Sequence, residues 1–198
     1  MANARRRVAY SLGPEPLDTD PERPKPFLSS AEDAKLSADI LELYKRLLPS
    51  QESEDRRKTL VEKLESILKT RWPGHRIAVN VFGSTGNRLG TTDSDVDICI
   101  TTDCKELENV CLLAEILAQQ GMQRVVCISA AKVPIVKIWD PGLKLACDLN
   151  VNNPVALENT EMIRAYVDID ERVRPLAMIV KHWAKRRVLN EAGMQIWF

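Results

Sequence analysis

The spacing of apolar residues changes period partway along the chain, and the change predicts the fold. Leu36, Ile40, Leu43 and Leu47 recur at helical intervals after Ser29 and Ser30, either of which can cap a helix with Asp33 in its first turn. This predicts a helix to about residue 48, broken by Pro49-Ser50. Leu60, Leu64, Ile67 and Leu68 mark a second amphipathic helix over 52–69, stopped by Trp72-Pro73-Gly74. The period then falls to two. Ile77, Val79 and Val81 alternate into Gly83-Ser84, and 95–101 reads as a second strand. A helix is predicted over 104–120, ending at Gly121. Strands follow at 125–129, 133–139 and 143–151, with Pro141-Gly142 as the turn between the last two. Helices over 159–167 and 170–187 close the chain, Val173, Leu176, Val180 and Trp183 forming a core stripe on the last. Helices, then strands, then helices give an α+β (α/β-type) arrangement, a mixed β-sheet flanked by helices. Five prolines among charges make residues 1–28 a disordered arm.

Composition narrows the setting. The chain has 198 residues, 44% of them hydrophobic, enough for one domain with an extension. Basic and acidic residues balance at 28 each, so nucleic-acid contact has to come from local patches such as KHWAKRR at 181–187. Five cysteines, an odd number with no CxxC spacing, and His only at 75 and 182 argue against a structural zinc site and for a reducing compartment. Most of these cysteines fall in apolar runs and read as small core residues. No apolar run is long enough to span a membrane. The start MANARRRVAYSL lacks the apolar core of a secretory signal; with no acid before Glu15 it allows a mitochondrial presequence, and otherwise the chain reads as cytoplasmic or nuclear.

The chemistry concentrates in acidic residues. Asp95 and Asp97 lie at i and i+2 of a strand, so both carboxylates project to one face while Val96 and Ile98 project to the other. Asp148, flanked by Cys147 and Leu149, also points away from the core. If the two strands are neighbours, three carboxylates crowd one surface, and each raises the cost of ionising the next. Two Mg²⁺ ions offset that cost, since magnesium takes oxygen ligands shared between a few carboxylates and substrate phosphates. In-line displacement at phosphorus suits such a pair, with Asp95 and Asp97 bridging the ions and Asp148 on the catalytic one, placed also to accept the attacking hydroxyl's proton. Gly83 allows close approach of a phosphate, and the turn's N–H groups with the Ser84 hydroxyl can donate to it.

This combination resembles the DNA polymerase β-like nucleotidyltransferase superfamily, and more closely its noncanonical poly(A) polymerases and terminal uridylyltransferases. The resemblance rests on VFGSTGNRLGTTDSDVDICI, AAKVPIVKI, CDLNVNNPVALENT and RVRPLAMIVKHWAKRR, and covers roughly 35–190. It implies a nucleotidyltransferase catalytic domain with its N-terminal helices over 29–155 and the start of a helical central domain, cut short, over 156–198. It implies an enzyme that adds AMP or UMP from an NTP (ATP or UTP) to an RNA 3′ end without a template, releasing pyrophosphate, with Mg²⁺ or Mn²⁺ as cofactor and accessory RNA-binding proteins as further partners. By resemblance Gly83 and Ser84 meet the triphosphate, and Asp95, Asp97 and Asp148 bind metal. Asn153 and Thr160 fall on the ribose and base side, and Lys181 and Lys185 on the phosphates. Those two lysines, at i and i+4, share a face apart from the apolar stripe.

Other residues read more plainly. Lys132 and Lys137 flank an apolar strand as edge or solvent lysines, with an RNA backbone as the alternative contact. His182 and Trp183 read as packing, His75 as exposed. After KHWAKRR the family continues into a Ser-Tyr segment whose aromatic stacks on the base, whereas this chain reads VLNEAGMQIWF. The expectation is an intact chemical site on a weakly active chain. The rival is an inactive nucleotide- or RNA-binding fragment, or a partner of a full-length polymerase.

Overall fold

The computed structural model describes residues 27–187; residues 1–26 of the expected arm and the closing 188–198 lie outside the described residues. In chain order the elements are α1 (Ser30–Leu47), α2 (Gln51–Arg71), β1 (Ile77–Phe82), α3 (Gly83–Gly86), β2 (Val96–Thr102), a 3₁₀ turn (Lys105–Glu108), α4 (Val110–Gln119), β3 (Gln123–Ile128), β4 (Ile135–Asp140), β5 (Leu145–Val151), α5 (Pro154–Ile169) and α6 (Val173–Arg186). Residues 47–174 form one compact unit, and 27–46 with 175–187 belong to a second.

The sheet lies in the first unit, in the order β1-β2-β5-β4-β3. β2 and β5 run parallel, and the other three pairings are antiparallel, so the sheet is mixed. One face is packed. Leu60, Leu64 and Leu68 of α2 and Leu113, Ile116 and Leu117 of α4 join Val96, Ile98, Ile100, Val136, Ile138, Cys147 and Leu149 in a single buried cluster. Burying each large aliphatic side chain contributes about 1.5–3 kcal/mol. Alternation along β4 and β5, with Val136, Ile138, Leu145, Cys147 and Leu149 buried, leaves Lys137, Trp139 and Asp148 to the opposite face.

Local chemistry explains where the elements start. Ser29 and Glu32 exchange hydrogen bonds in a capping box (Ser29 N–H to Glu32 Oε2, 2.8 Å), so Glu32, rather than the expected Asp33, completes the cap of α1. Ser50 Oγ accepts from the Ser53 N–H and starts α2. The helix predicted over 104–120 is divided, because the Asn109 side chain accepts from the N–H groups of Cys111 and Leu112 and caps α4 there. α5 begins at Pro154, five residues before the expected start, since Asn153 caps it and proline suits the first helical position.

The apolar stripe predicted on α6 is exposed: Leu176, Val180 and Trp183 are accessible, and the helix's buried side chain is Met178. Periodicity identifies an apolar face without saying what covers it. Cys99, Cys104 and Cys147 are buried as expected, Cys127 is half-buried, and Cys111 is exposed. Among the described residues no helix is long and apolar enough to cross a membrane.

Candidate active site

Asp97 and Asp148 are direct register partners on the parallel pair β2–β5, so the two carboxylates stand side by side on the open face. Asp95 lies exposed one residue before β2 begins. Cys147 lies behind them in the core. Burial pushes its thiol well above the usual range, and the negative charges of Asp148, Asp97 and Asp95 push it further. Of the three carboxylates expected on one surface, Asp97 and Asp148 are thus register partners, and Asp95 precedes the strand.

The Gly-Ser turn meets this pair at the end of β1. Phe82 is the register partner of Asp97. Gly83 then turns the chain at φ 62° into the single-turn helix α3. A Cβ built on Gly83 would fall on the Asp97 carboxylate, so the site needs glycine both for its backbone angle and for the space. Ser84 follows, half-buried.

Thr160, buried on α5, fixes the turn. Its hydroxyl accepts from the Gly83 N–H (2.9 Å) and donates to the Ala156 carbonyl (2.7 Å). Its methyl lies where a side chain on Gly86 would begin, 2.7 Å from that Cβ position. Asn153 caps α5, accepting from the Ala156 N–H, and its carbonyl accepts from the Cys99 thiol. Gly83, Ser84, Asp95, Asp97, Asp148, Asn153 and Thr160 all belong to the unit of residues 47–174. Lys181 and Lys185 lie one turn apart on α6 in the other unit, Lys181 half-buried and Lys185 exposed.

One residue of the site was not singled out from sequence, and another was read without its partner. Arg57 of α2 is buried and donates to the carbonyls of Thr91 (2.6 Å), Thr92 (3.2 Å) and Ser94 (3.2 Å), holding the loop that leads into Asp95. It also donates to Ser53 Oγ at 2.8 Å. Burial pushes its guanidinium pKa down, the Glu54 charge opposing. Its place in the stripe Ser53, Arg57, Leu60, Leu64, Leu68 was the legible signal. Lys137, read as an edge or solvent lysine, is the register partner of Asp148 across β4–β5, and its ammonium is paired with that carboxylate.

The donor set suits a hard divalent ion: aspartate oxygens beside a turn that admits close approach. Among the described residues no three acidic, histidine or cysteine side chains form a ready metal cage. Magnesium commonly takes only one or two carboxylates and completes its shell with water and substrate phosphate. The residues fit that mode of binding.

Residues 36–168 match the family described as poly(A) RNA polymerase, mitochondrial-like, central palm domain. The chain belongs to that family. It is 50% identical over 162 residues to the poly(A) RNA polymerase cid11 of Schizosaccharomyces pombe, covering 81% of this chain and 34% of that protein. It is 42% identical over 190 residues to cid13 of the same organism, covering 96% and 33%. Among solved structures, one described as the GLD-2/RNP-8 complex superimposes with a TM-score of 0.70 at 31% identity, over 82% of this chain and 52% of that one. The Cid1 poly(U) polymerase structure gives 0.70 at 26% identity, over 80% and 49%. The family and the α+β nucleotidyltransferase fold expected from sequence are thus shown. The chain spans about a third of the length of these curated relatives.

Proposed function

We propose that this chain is the catalytic palm of an RNA 3′-end nucleotidyltransferase, which adds AMP or UMP from the corresponding NTP and releases pyrophosphate. The observation that carries the reading is the Asp97–Asp148 register pair with Gly83 packed against the Asp97 carboxylate. Membership of a family whose relatives are named poly(A) RNA polymerases and terminal uridylyltransferases supports it.

Asp95, Asp97 and Asp148 would hold Mg²⁺ or Mn²⁺, which when bound would lower the pKa of the attacking hydroxyl and neutralise the departing pyrophosphate. Gly83 and Ser84 receive the triphosphate. Thr160 keeps the turn rigid from behind, and Asn153, at the start of α5, faces the nucleotide's sugar. Asp148 is placed to accept the hydroxyl's proton. Buried, unpaired Cys99, Cys104 and Cys147 suit a reducing compartment, cytoplasm or nucleus.

The test is a labelled RNA oligonucleotide incubated with the chain, each NTP and Mg²⁺ or Mn²⁺, read on a gel. Slow metal-dependent extension with ATP or UTP, lost in Asp97→Ala, is expected. Nucleotide binding without extension in any combination would assign the chain a binding role instead.

A further inference from the structure

The carboxylates belong to a row that crosses the whole sheet. Phe82, Asp97, Asp148, Lys137 and Val126 are successive register partners on β1, β2, β5, β4 and β3. Such a row presents its side chains on one face. On the β1 side of the aspartates lies the Gly83-Ser84 turn. On the other side, one step further along β4, Trp139 pairs with Ala146 of β5 and Gln123 of β3, so its neighbour on β5 is small. Arg124 sits at an irregularity in β3, at φ 50°, with its guanidinium over the Trp139 ring, 5.3 Å from the centroid. Lys137 and Arg124 are exposed, Trp139 is partly so, and β3 carries no acid.

Nucleotidyl transfer sets the direction. The 3′-hydroxyl oxygen bonds to the α-phosphorus as the bond to the bridging oxygen breaks and pyrophosphate leaves, with attacking and departing oxygens on opposite sides. With the triphosphate on the β1 side, the attacking strand arrives over β5, β4 and β3. We infer that Lys137, Trp139 and Arg124 form a binding strip for the terminal nucleotides of a single-stranded RNA. Lys137, beside Asp148, meets a phosphodiester near the 3′ end, and the Arg124–Trp139 stack receives a base. An aromatic with an arginine is the usual sequence-tolerant platform for single strands. The inference rests on the transfer reading for its direction, and on the strip's own chemistry for its ligand.

The test uses the full chain with a 5′-labelled 15-nucleotide RNA, read by fluorescence anisotropy in chelator, and a fluorescent ATP analogue with Mn²⁺ in parallel. Trp139→Ala is expected to weaken RNA binding about tenfold. Arg124→Glu, at an exposed position, is expected to do the same without disturbing the core. Nucleotide binding stays at the wild-type level in both. The inference is overturned if the wild-type chain does not bind the RNA, if both folded variants bind it as wild type does, or if RNA and nucleotide binding fall together. Variant-sensitive RNA binding by a chain that never extends RNA would sink the transfer reading and leave the strip standing. Extension by both variants with an unchanged KM for RNA would do the reverse.

Discussion

At Gly83 the backbone takes φ 62°, and the Asp97 carboxylate occupies the space a side chain would need. Alanine there costs about 1–2 kcal/mol for the left-handed backbone and also displaces the carboxylate. A displacement of that kind lowers rate by roughly 100-fold. Gly83→Ala should therefore lose transfer far more than it loses stability in denaturant titration; a wild-type rate would contradict the placement of Asp97. Asp140 makes a different prediction. Its burial alone would raise its pKa, but the Lys63 ammonium (2.7 Å) and the N–H groups of Leu143 and Gly142 hold it below the usual value. The folded pKa is depressed, so the stability it contributes is fully present above the unfolded value of about 3.9 and is lost as pH falls through the folded one. Asp140→Asn should be less stable at neutral pH and show a shallower acid limb between about pH 4 and the onset of acid unfolding.

Elements place these residues through a few cross-links that local patterning does not reveal. The strand alternation of Val96, Asp97 and Ile98 was legible because it is a property of adjacent residues. The pairing of Asp97 with Asp148 was legible only as a condition, since register between strands about fifty residues apart depends on tertiary packing. The pairing of Lys137 with Asp148 was missed for the same reason: nothing near the lysine in sequence announces that carboxylate as its neighbour. Arg57 is a clearer lesson. A guanidinium in a leucine stripe has to find acceptors, and it finds the loop before Asp95. Arg57→Met should cost about 3 kcal/mol, by leaving the part-buried carbonyls of Thr91, Thr92 and Ser94 short of a donor, and should lower transfer as the loop loosens; urea titration and extension rate measure both. Thr160→Val keeps the shape but strips the Gly83 N–H of its acceptor, a loss of about 1–3 kcal/mol, whereas Thr160→Ser should restore it. Equal behaviour of the two variants would remove Thr160 from the support of the turn.

On the scale of the whole molecule, the order of helices and strands was readable because periodicity changes where the sheet begins. α3 was not, since four residues of GSTG carry no periodicity. The apolar stripe of α6 was read correctly as apolar and wrongly as buried, because coverage is decided by what packs on a helix. The sheet's two faces divide the work: one supplies the buried core, and the other carries Asp97, Asp148 and Lys137 in register, with Trp139 and Arg124 beside them. The central claim is that the Asp97–Asp148 pair beside Gly83 binds a nucleoside triphosphate through a divalent ion. Titration of a fluorescent NTP analogue with and without Mn²⁺, in the wild-type chain and in Asp97→Ala, tests it most directly. The account predicts that Mn²⁺ tightens binding at least about tenfold in wild type and has no effect in Asp97→Ala. Binding that is equally tight without metal, or equally responsive to metal in the variant, would contradict it.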